Sequence, residues 1–498
     1  MPVETINRID RTVKLWLLIV SALTLIALLT AALKENAFAP WKLLRMRYAS
    51  LLEQKAEDER GRAIADQFEI RIVQNYVPAL EAADRCMTCH PGIDDPRMKN
   101  EVQPYRTHPG EYLSHHPAEQ FGCTVCHRGQ GRALVFEEAK AVGYHWDYPL
   151  LPNNLAQSSC GLCHAADEVQ ERGGEKYAHG KDLFESKGCY SCHKLHGRGG
   201  NMGPELDSVG LKIRQVLPMA HVEGPHTLPQ WLIEHFEDPQ KIVVGSQMKP
   251  SQLSREEIVA LTIYMLSLQE DRDIPRTYLT AGKMLELYKQ EHPDPASGKD
   301  LYDRYCAVCH DTGEYTRYDS FYEKFFPAIR GVSYAQIASA DYIKENIRLG
   351  HPGTLMPAWG PAAGGLTEEE TDRIATYLLD VEIPPHVRME TRMVQGAQDP
   401  SLDIRGDIAR GGILFNKHCA ACHLSGLAPD LFNAAFQRTA TDGFVFTTIL
   451  KGRINTPMPG FMAPNGGGLA PDDISDLTDF ILNANPKPAQ ANLSMAGQ

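Results

Sequence analysis

The sequence predicts a mainly α-helical chain: a membrane-spanning helix, then an irregular middle module, then three copies of one small helical domain. Three observations carry that prediction. A run of 19 apolar or small residues without a charge, Leu15 to Leu33, lies near the start of the chain. All twelve cysteines fall in six Cys-x-x-Cys-His motifs, and the first three motifs start 37 residues apart at Cys86, Cys123 and Cys160. The last three, starting at Cys189, Cys306 and Cys419, are each embedded in the same pattern of flanking helices.

At about 1.5 Å per residue the apolar run spans roughly 28 Å, close to the ~30 Å of a bilayer core. Lys14 and Lys34 bound it. A cleaved signal peptide competes, because Ala37-Phe38-Ala39 resembles a cleavage site. A signal's apolar region is shorter, about 7–15 residues, and Pro40 disfavours cleavage, so residues 1–34 are expected to stay as an anchor. The first 14 residues are expected on the cytoplasmic side. Arg8, Arg11 and Lys14 agree with that orientation, while Lys42, Arg45 and Arg47 on the other flank weaken the charge argument. Residues 35–80 mix charged and apolar residues at helical spacing and read as a juxtamembrane helical stalk.

Cys-x-x-Cys-His is the attachment motif of c-type haem: two thiols form thioethers and the histidine is the proximal iron ligand. The six are Cys86/Cys89/His90, Cys123/Cys126/His127, Cys160/Cys163/His164, Cys189/Cys192/His193, Cys306/Cys309/His310 and Cys419/Cys422/His423. Zinc would need a second ligand pair beside each motif, and none has one. The expectation is six covalently bound haem c. With 498 residues there is room for several domains. A formal charge of −13 argues against nucleic acid as a partner. The low aromatic content, 8%, fits small domains whose apolar filling comes from macrocycles.

The last three motifs sit in an internal repeat. Before each comes a helix with a glycine followed by leucine and an aromatic: Gly180 with Leu183-Phe184, Gly298 with Leu301-Tyr302, Gly411 with Leu414-Phe415. After each comes a second helix starting near Leu253, Leu366 or Leu469. Ser254 with Glu257 and Thr367 with Glu370 read as capping boxes, and Pro471 as a first-turn proline. An aromatic follows each leucine by eleven residues, at Tyr264, Tyr377 and Phe480, on the same helical face. Between the helices lie Gly-Ser-Gln-Met248, Gly-Thr-Leu-Met356 and Asn-Thr-Pro-Met458, with Met462 a nearby rival of the last.

On these motifs residues 175–270, 296–385 and 404–486 resemble class I cytochrome c domains. That resemblance implies Met248, Met356 and Met458 as sixth ligands of the iron. It also implies a proline carbonyl behind each proximal histidine, matched by Pro204, Pro429 and, less closely, Pro327. The linkers 271–295 and 386–403 would leave the domains free to swing, and the tail, 487–498, is Pro-, Ala- and Asn-rich.

Residues 81–174 give fewer than 40 residues per motif, too few for separate cores. They are expected to form one irregular triheme module with bis-histidine ligation. His108, His116 and His145 are the chosen distal ligands, with His115 as alternate and His179 further off. Spacing leaves open which of them serves which haem.

A haem with both axial positions filled transfers electrons rather than binding substrate. The anchor, the segment Phe121-Gly-Cys-Thr-Val-Cys-His-Arg-Gly-Gln-Gly131 and the trailing domains resemble the multihaem cytochrome c subunits of bacterial quinol-oxidising complexes, of cytochrome b/Rieske type or alternative complex III. The resemblance implies a single-pass protein of the cytoplasmic (inner) membrane with its haem domains in the periplasm. It would relay electrons from such respiratory subunits to a soluble cytochrome or oxidase, and would not be catalytic alone. The alternatives are a multihaem reductase of a small oxyanion such as nitrite, which needs an open iron position, and an electron-transfer subunit of another oxidoreductase.

Overall fold

The computed structural model describes residues 3–143, 145–462 and 467–483. The expected tail, 487–498, lies outside them. The chain is mostly helical, with three two-stranded ribbons among the described residues. It divides into two compact units: residues 1–175 with 212–234 and 272–280, and residues 176–211 with 235–271 and 281–498. Two stretches therefore group differently from the sequence expectation. Residues 212–234 of the first repeat and 272–280 of the first linker join the unit that holds the first three motifs.

In the first unit, helix α1 (Val3–Asn36) carries the apolar run, with Leu17, Leu18, Leu23, Ile26 and Leu28 all about 60% exposed or more. It is long and apolar enough to cross a membrane. Helix α2 (Pro40–Gln54) follows after three residues, with a proline in its first turn. The stalk expectation is altered here, because α2 belongs to a core. Tyr48, Leu51 and Leu52 pack with Met98 and Tyr105, and the Tyr48 hydroxyl lies 3.0 Å from Asp95. The Arg45 guanidinium is buried, donating to the carbonyls of Glu69 and Met87 and lying over the Phe68 ring.

The ribbon Asn75–Val77 with Ala82–Asp84 leads into the first motif. Its last residue, Asp84, is fully buried and accepts from the backbone N–H groups of Cys123 and Thr124, tying the first motif to the second. From the first linker, Ile274 and Tyr278 pack against the cluster of Val77, Leu80, Ala82 and Val125, and the Phe121 and Tyr278 rings are 5.5 Å apart.

In the second unit the three repeats share one helix crossing. Helices Glu175–Ser186, Gly298–Tyr305 and Ile408–His418 each present their glycine to helices Arg255–Ser267, Glu368–Leu379 and Pro471–Asn483. A Cβ at Gly180, Gly298 or Gly411 would lie 2.0–2.1 Å from the carbonyl oxygen of Ala260, Arg373 or Asp476. The aromatics identified in the sequence meet there: Phe184 with Tyr264, Tyr302 with Tyr377 and Phe415 with Phe480, at 5.6, 5.4 and 5.5 Å. Both capping boxes form, and the last helix starts at Pro471.

Gly298→Ala should lower stability by about 2 kcal/mol, because the new methyl meets backbone that no rotamer change can move. The gain in helix propensity, up to about 1 kcal/mol, is smaller. Denaturant unfolding of the haem-loaded protein measures the difference; equal or higher stability would contradict the crossing.

The second and third repeats share one hydrophobic core, running from Leu301, Ile374 and Leu378 through Phe415, Leu477 and Ile481. The linker between them is part of it. Helix Thr391–Gln398 buries Ala397, the Gln398 amide donates to the carbonyls of Gln336 and Ala338, and Thr441 Oγ1 donates to the Ala397 carbonyl. These contacts replace the free swing expected of residues 386–403.

Candidate haem-binding sites

All six motifs fold into the same short turn. The histidine N–H donates to the carbonyl of the first cysteine at 2.9–3.0 Å, from His90–Cys86 through His423–Cys419. None of the twelve cysteines is in a disulfide. Among the described residues, no motif brings its two sulfurs and its own histidine to a common point, as a closed zinc site would require. The turn instead leaves the sulfurs available for one partner and the imidazole for another, which suits covalent haem.

The two thiols of the last motif differ in exposure. Cys422 is exposed, whereas Cys419 is buried and the other ten cysteines are half-buried. The difference is local. In the second repeat the ribbon Arg317–Asp319 with Lys324–Phe326 folds back on the turn, and Arg317 donates to the Val308 carbonyl inside the motif. The third repeat has no such ribbon among its described residues. Its chain leaves the motif through Leu424 and Leu427, which are themselves exposed. Cys422 is therefore an attachment candidate at the rim of its site, with the enclosure on the Cys419 side.

In the three repeats the ring behind each motif is fixed by a proline carbonyl. His193 Nδ1 lies 2.8 Å from Pro204 O, His310 Nδ1 3.1 Å from Pro327 O, and His423 Nδ1 2.7 Å from Pro429 O. These are the three prolines expected. With Nδ1 protonated and bonded, Nε2 keeps its lone pair for a metal. Burial holds the His310 and His423 imidazoles below their usual range, His310 down to about 4, which favours the neutral form that ligation requires. Gly203 is where the chain passes the His193 ring, since a Cβ there would fall 2.3 Å from it.

Met248, Met356 and Met458 occupy one kind of turn. Each backbone N–H donates to a hydroxyl two residues earlier, on Ser246, Thr354 or Thr456, at 3.1–3.2 Å. In the last two the carbonyl accepts from the residue five before, His351 or Arg453, at 2.9 Å. Each methionine is half-buried. Met462 is outside this turn: it bridges to Leu469 and packs against the core. The hydroxyl two residues before each methionine, on Ser246, Thr354 and Thr456, is the sequence signal of this turn.

The first unit brings two histidine pairs together. His108 faces His127 with ring centres 6.1 Å apart, and His116 faces His164 at 6.0 Å. Two imidazoles sharing one metal through Nε2, each at about 2 Å, put their ring centres about 6 Å apart. The other nitrogens are held: His108 Nδ1 by Pro109 O at 2.8 Å, His127 Nδ1 by Leu151 O at 3.1 Å, and His116 Nδ1 by Tyr112 O at 3.1 Å. His164 Nδ1 has Glu168 at 3.8 Å. His108 and His116 both precede the motif they face, and spacing alone gives no sign of this.

The remaining candidates are placed differently. His90 is half-buried beside Gln103 and Pro104, and burial lowers its pKa. His145 is exposed and belongs to neither pair, and His115 and His179 are exposed on helices. Cys86 and Cys123 lie with the Asp84 carboxylate within 4.8 Å of one another, so the first two motifs touch.

The crossed helices, the proline-backed histidines and the attachment turns define a c-type cytochrome. Comparison with known proteins agrees. The family model described as cytochrome c matches residues 177–269, and that of cytochrome c oxidase, cbb3-type, subunit III matches residues 293–378 and 406–481. Cytochrome c-554(547) of Halothiobacillus neapolitanus is 33% identical over 86 residues, which are 15% of this chain and 94% of that protein. No solved structure matches significantly. The chain belongs to the cytochrome c family and is a multihaem c-type cytochrome, a protein that transfers electrons.

Proposed function

We propose that this chain is a membrane-anchored hexahaem cytochrome c. It relays electrons in the periplasm from a quinol-oxidising, cytochrome b-type complex to a soluble cytochrome or oxidase. The facing pairs His108–His127 and His116–His164 carry this reading. His108 with His127 and His116 with His164 would hold the irons of the second and third haems from both sides, which would leave no position there for a substrate. Haem c bound at the six motifs supplies one-electron iron couples.

The protein's part is to fix each imidazole and to set the order of potentials. Proline and other backbone carbonyls orient the proximal rings, and the Ser/Thr turns present Met248, Met356 and Met458. Histidine–methionine ligation raises potential relative to other ligation, so electrons run from the first unit's haems toward the repeats. The single N-terminal helix fits a cytoplasmic-membrane anchor with the haem domains outside.

The test is a haem count and redox titration of the purified full chain, with its oxidised spin state. Six haems, low-spin iron, and a lower-potential group assigned to residues 81–174 are expected, together with copurification of a polytopic cytochrome b subunit. A high-spin ferric haem beside basic residues would favour the oxyanion reductase instead. A first unit more oxidising than the repeats would reverse the relay.

A further inference from the structure

Helix α2 presents two faces with different destinations. Inward, Arg45, Tyr48, Leu51 and Leu52 are buried in the first unit, and Arg45 donates to Met87 O, inside the first attachment motif. Outward, at helical spacing, lie Leu43, Met46, Arg47, Ser50 and Gln54. The large apolar residues on that side are confined to the first two turns, with Leu43 50% and Met46 51% exposed. Further along, the face turns polar at Ser50 and Gln54. Phe38, in the break before α2, is 64% exposed, and Trp41, Lys42 and Arg47 flank the same end.

The gradient points toward the anchor. Leu33 closes the apolar run, and only Lys34 to Ala39 separate it from α2. Headgroups add roughly 5–8 Å beyond each edge of the hydrocarbon core, so the first turns of α2 start within or just above that layer. Exposed aliphatic and aromatic residues beside lysine and arginine are the composition of a helix at a lipid interface. An outward face made for water would not carry its apolar residues only at the membrane end.

We infer that the first turns of α2 lie on the phospholipid headgroup layer, with Phe38, Leu43 and Met46 inserted and Lys42 and Arg47 against phosphates. The helix is then a mount that holds the first haem at a fixed height over the membrane, where a donor oxidising a lipid-soluble quinol delivers electrons. This rests on the proposed anchor, and the test separates the two.

All native cysteines lie in attachment motifs, so one introduced cysteine in the haem-loaded full chain provides a single free thiol. Variants L25C, L43C, M46C and Q54C are reconstituted in vesicles of phosphatidylcholine with phosphatidylglycerol. Each is then reacted with a membrane-impermeant maleimide from the side bearing the haem domains. L25C should be unreactive, and L43C and M46C should react at least about tenfold more slowly than Q54C. Rates at 43 and 46 within twofold of Q54C, with L25C protected, would overturn the mount and leave the anchor standing. A reactive L25C would overturn the anchor itself, and the mount with it.

Discussion

Replacing His116 with leucine should turn the haem attached at Cys160 and Cys163 from low-spin to high-spin while the others stay low-spin. The reason is the facing geometry: His116 and His164 are 6.0 Å apart, with their Nδ1 atoms directed at Tyr112 O and Glu168. Leucine fills space without a donor, so only one axial bond remains. The matching change at His108 should affect the haem at Cys123 and Cys126 instead. Electron paramagnetic resonance of the oxidised protein checks both. The potential of the altered haem should also move by on the order of 0.1 V, a fraction of the ~0.8 V that axial ligation spans. If either variant keeps all its iron low-spin, the pairing is wrong.

Glu370→Ala should cost about 3–5 kcal/mol, the usual loss when one partner of a buried ion pair is removed. Glu370 is 4% exposed and sits 2.6 Å from the Arg198 guanidinium. That guanidinium also donates to the Tyr305 hydroxyl. The second Glu370 oxygen accepts from the Thr367 N–H and closes the helix cap. One substitution therefore leaves a half-buried arginine without its carboxylate, opens a helix start and unfastens the first repeat from the second. Denaturant unfolding gives the magnitude, and the double variant Arg198→Leu/Glu370→Leu should recover part of the loss. A single-variant cost below about 1 kcal/mol would show that water reaches the pair.

Much of this molecule could be read from its sequence because a repeat states its own alignment. Gly180, Gly298 and Gly411 are glycine for one reason, the carbonyl lying behind each of them. The aromatics eleven residues beyond Leu253, Leu366 and Leu469 meet the partners expected. Pro327 lies much further along the chain from its histidine than Pro429 does from His423, yet its carbonyl reaches the same nitrogen.

Other features were hidden because they depend on tertiary contact rather than spacing. No periodicity indicates that His108 faces the ring of a later motif, or that Arg45 reaches the first motif from α2. The open side of Cys422 was equally invisible, since six identical motifs say nothing about what folds over each of them. The packing of the second linker was hidden for the same reason: Met389 and Met393 lie against the shared core, and Gly443 comes up against the Gly396 carbonyl.

The contact between the fourth and fifth motifs bears on how the protein is made. Ser191, one of the two variable residues between Cys189 and Cys192, donates to the Tyr305 carbonyl, and both residues are buried, at 4% and 3% exposure. Gly188 meets Val308, a variable residue of the next motif. An enzyme that joins vinyl groups to these thiols needs both loops open. If both motifs receive haem, the joint between the two repeats is expected to close after attachment, and trapping the chain before attachment should leave Ser191 and Val308 accessible.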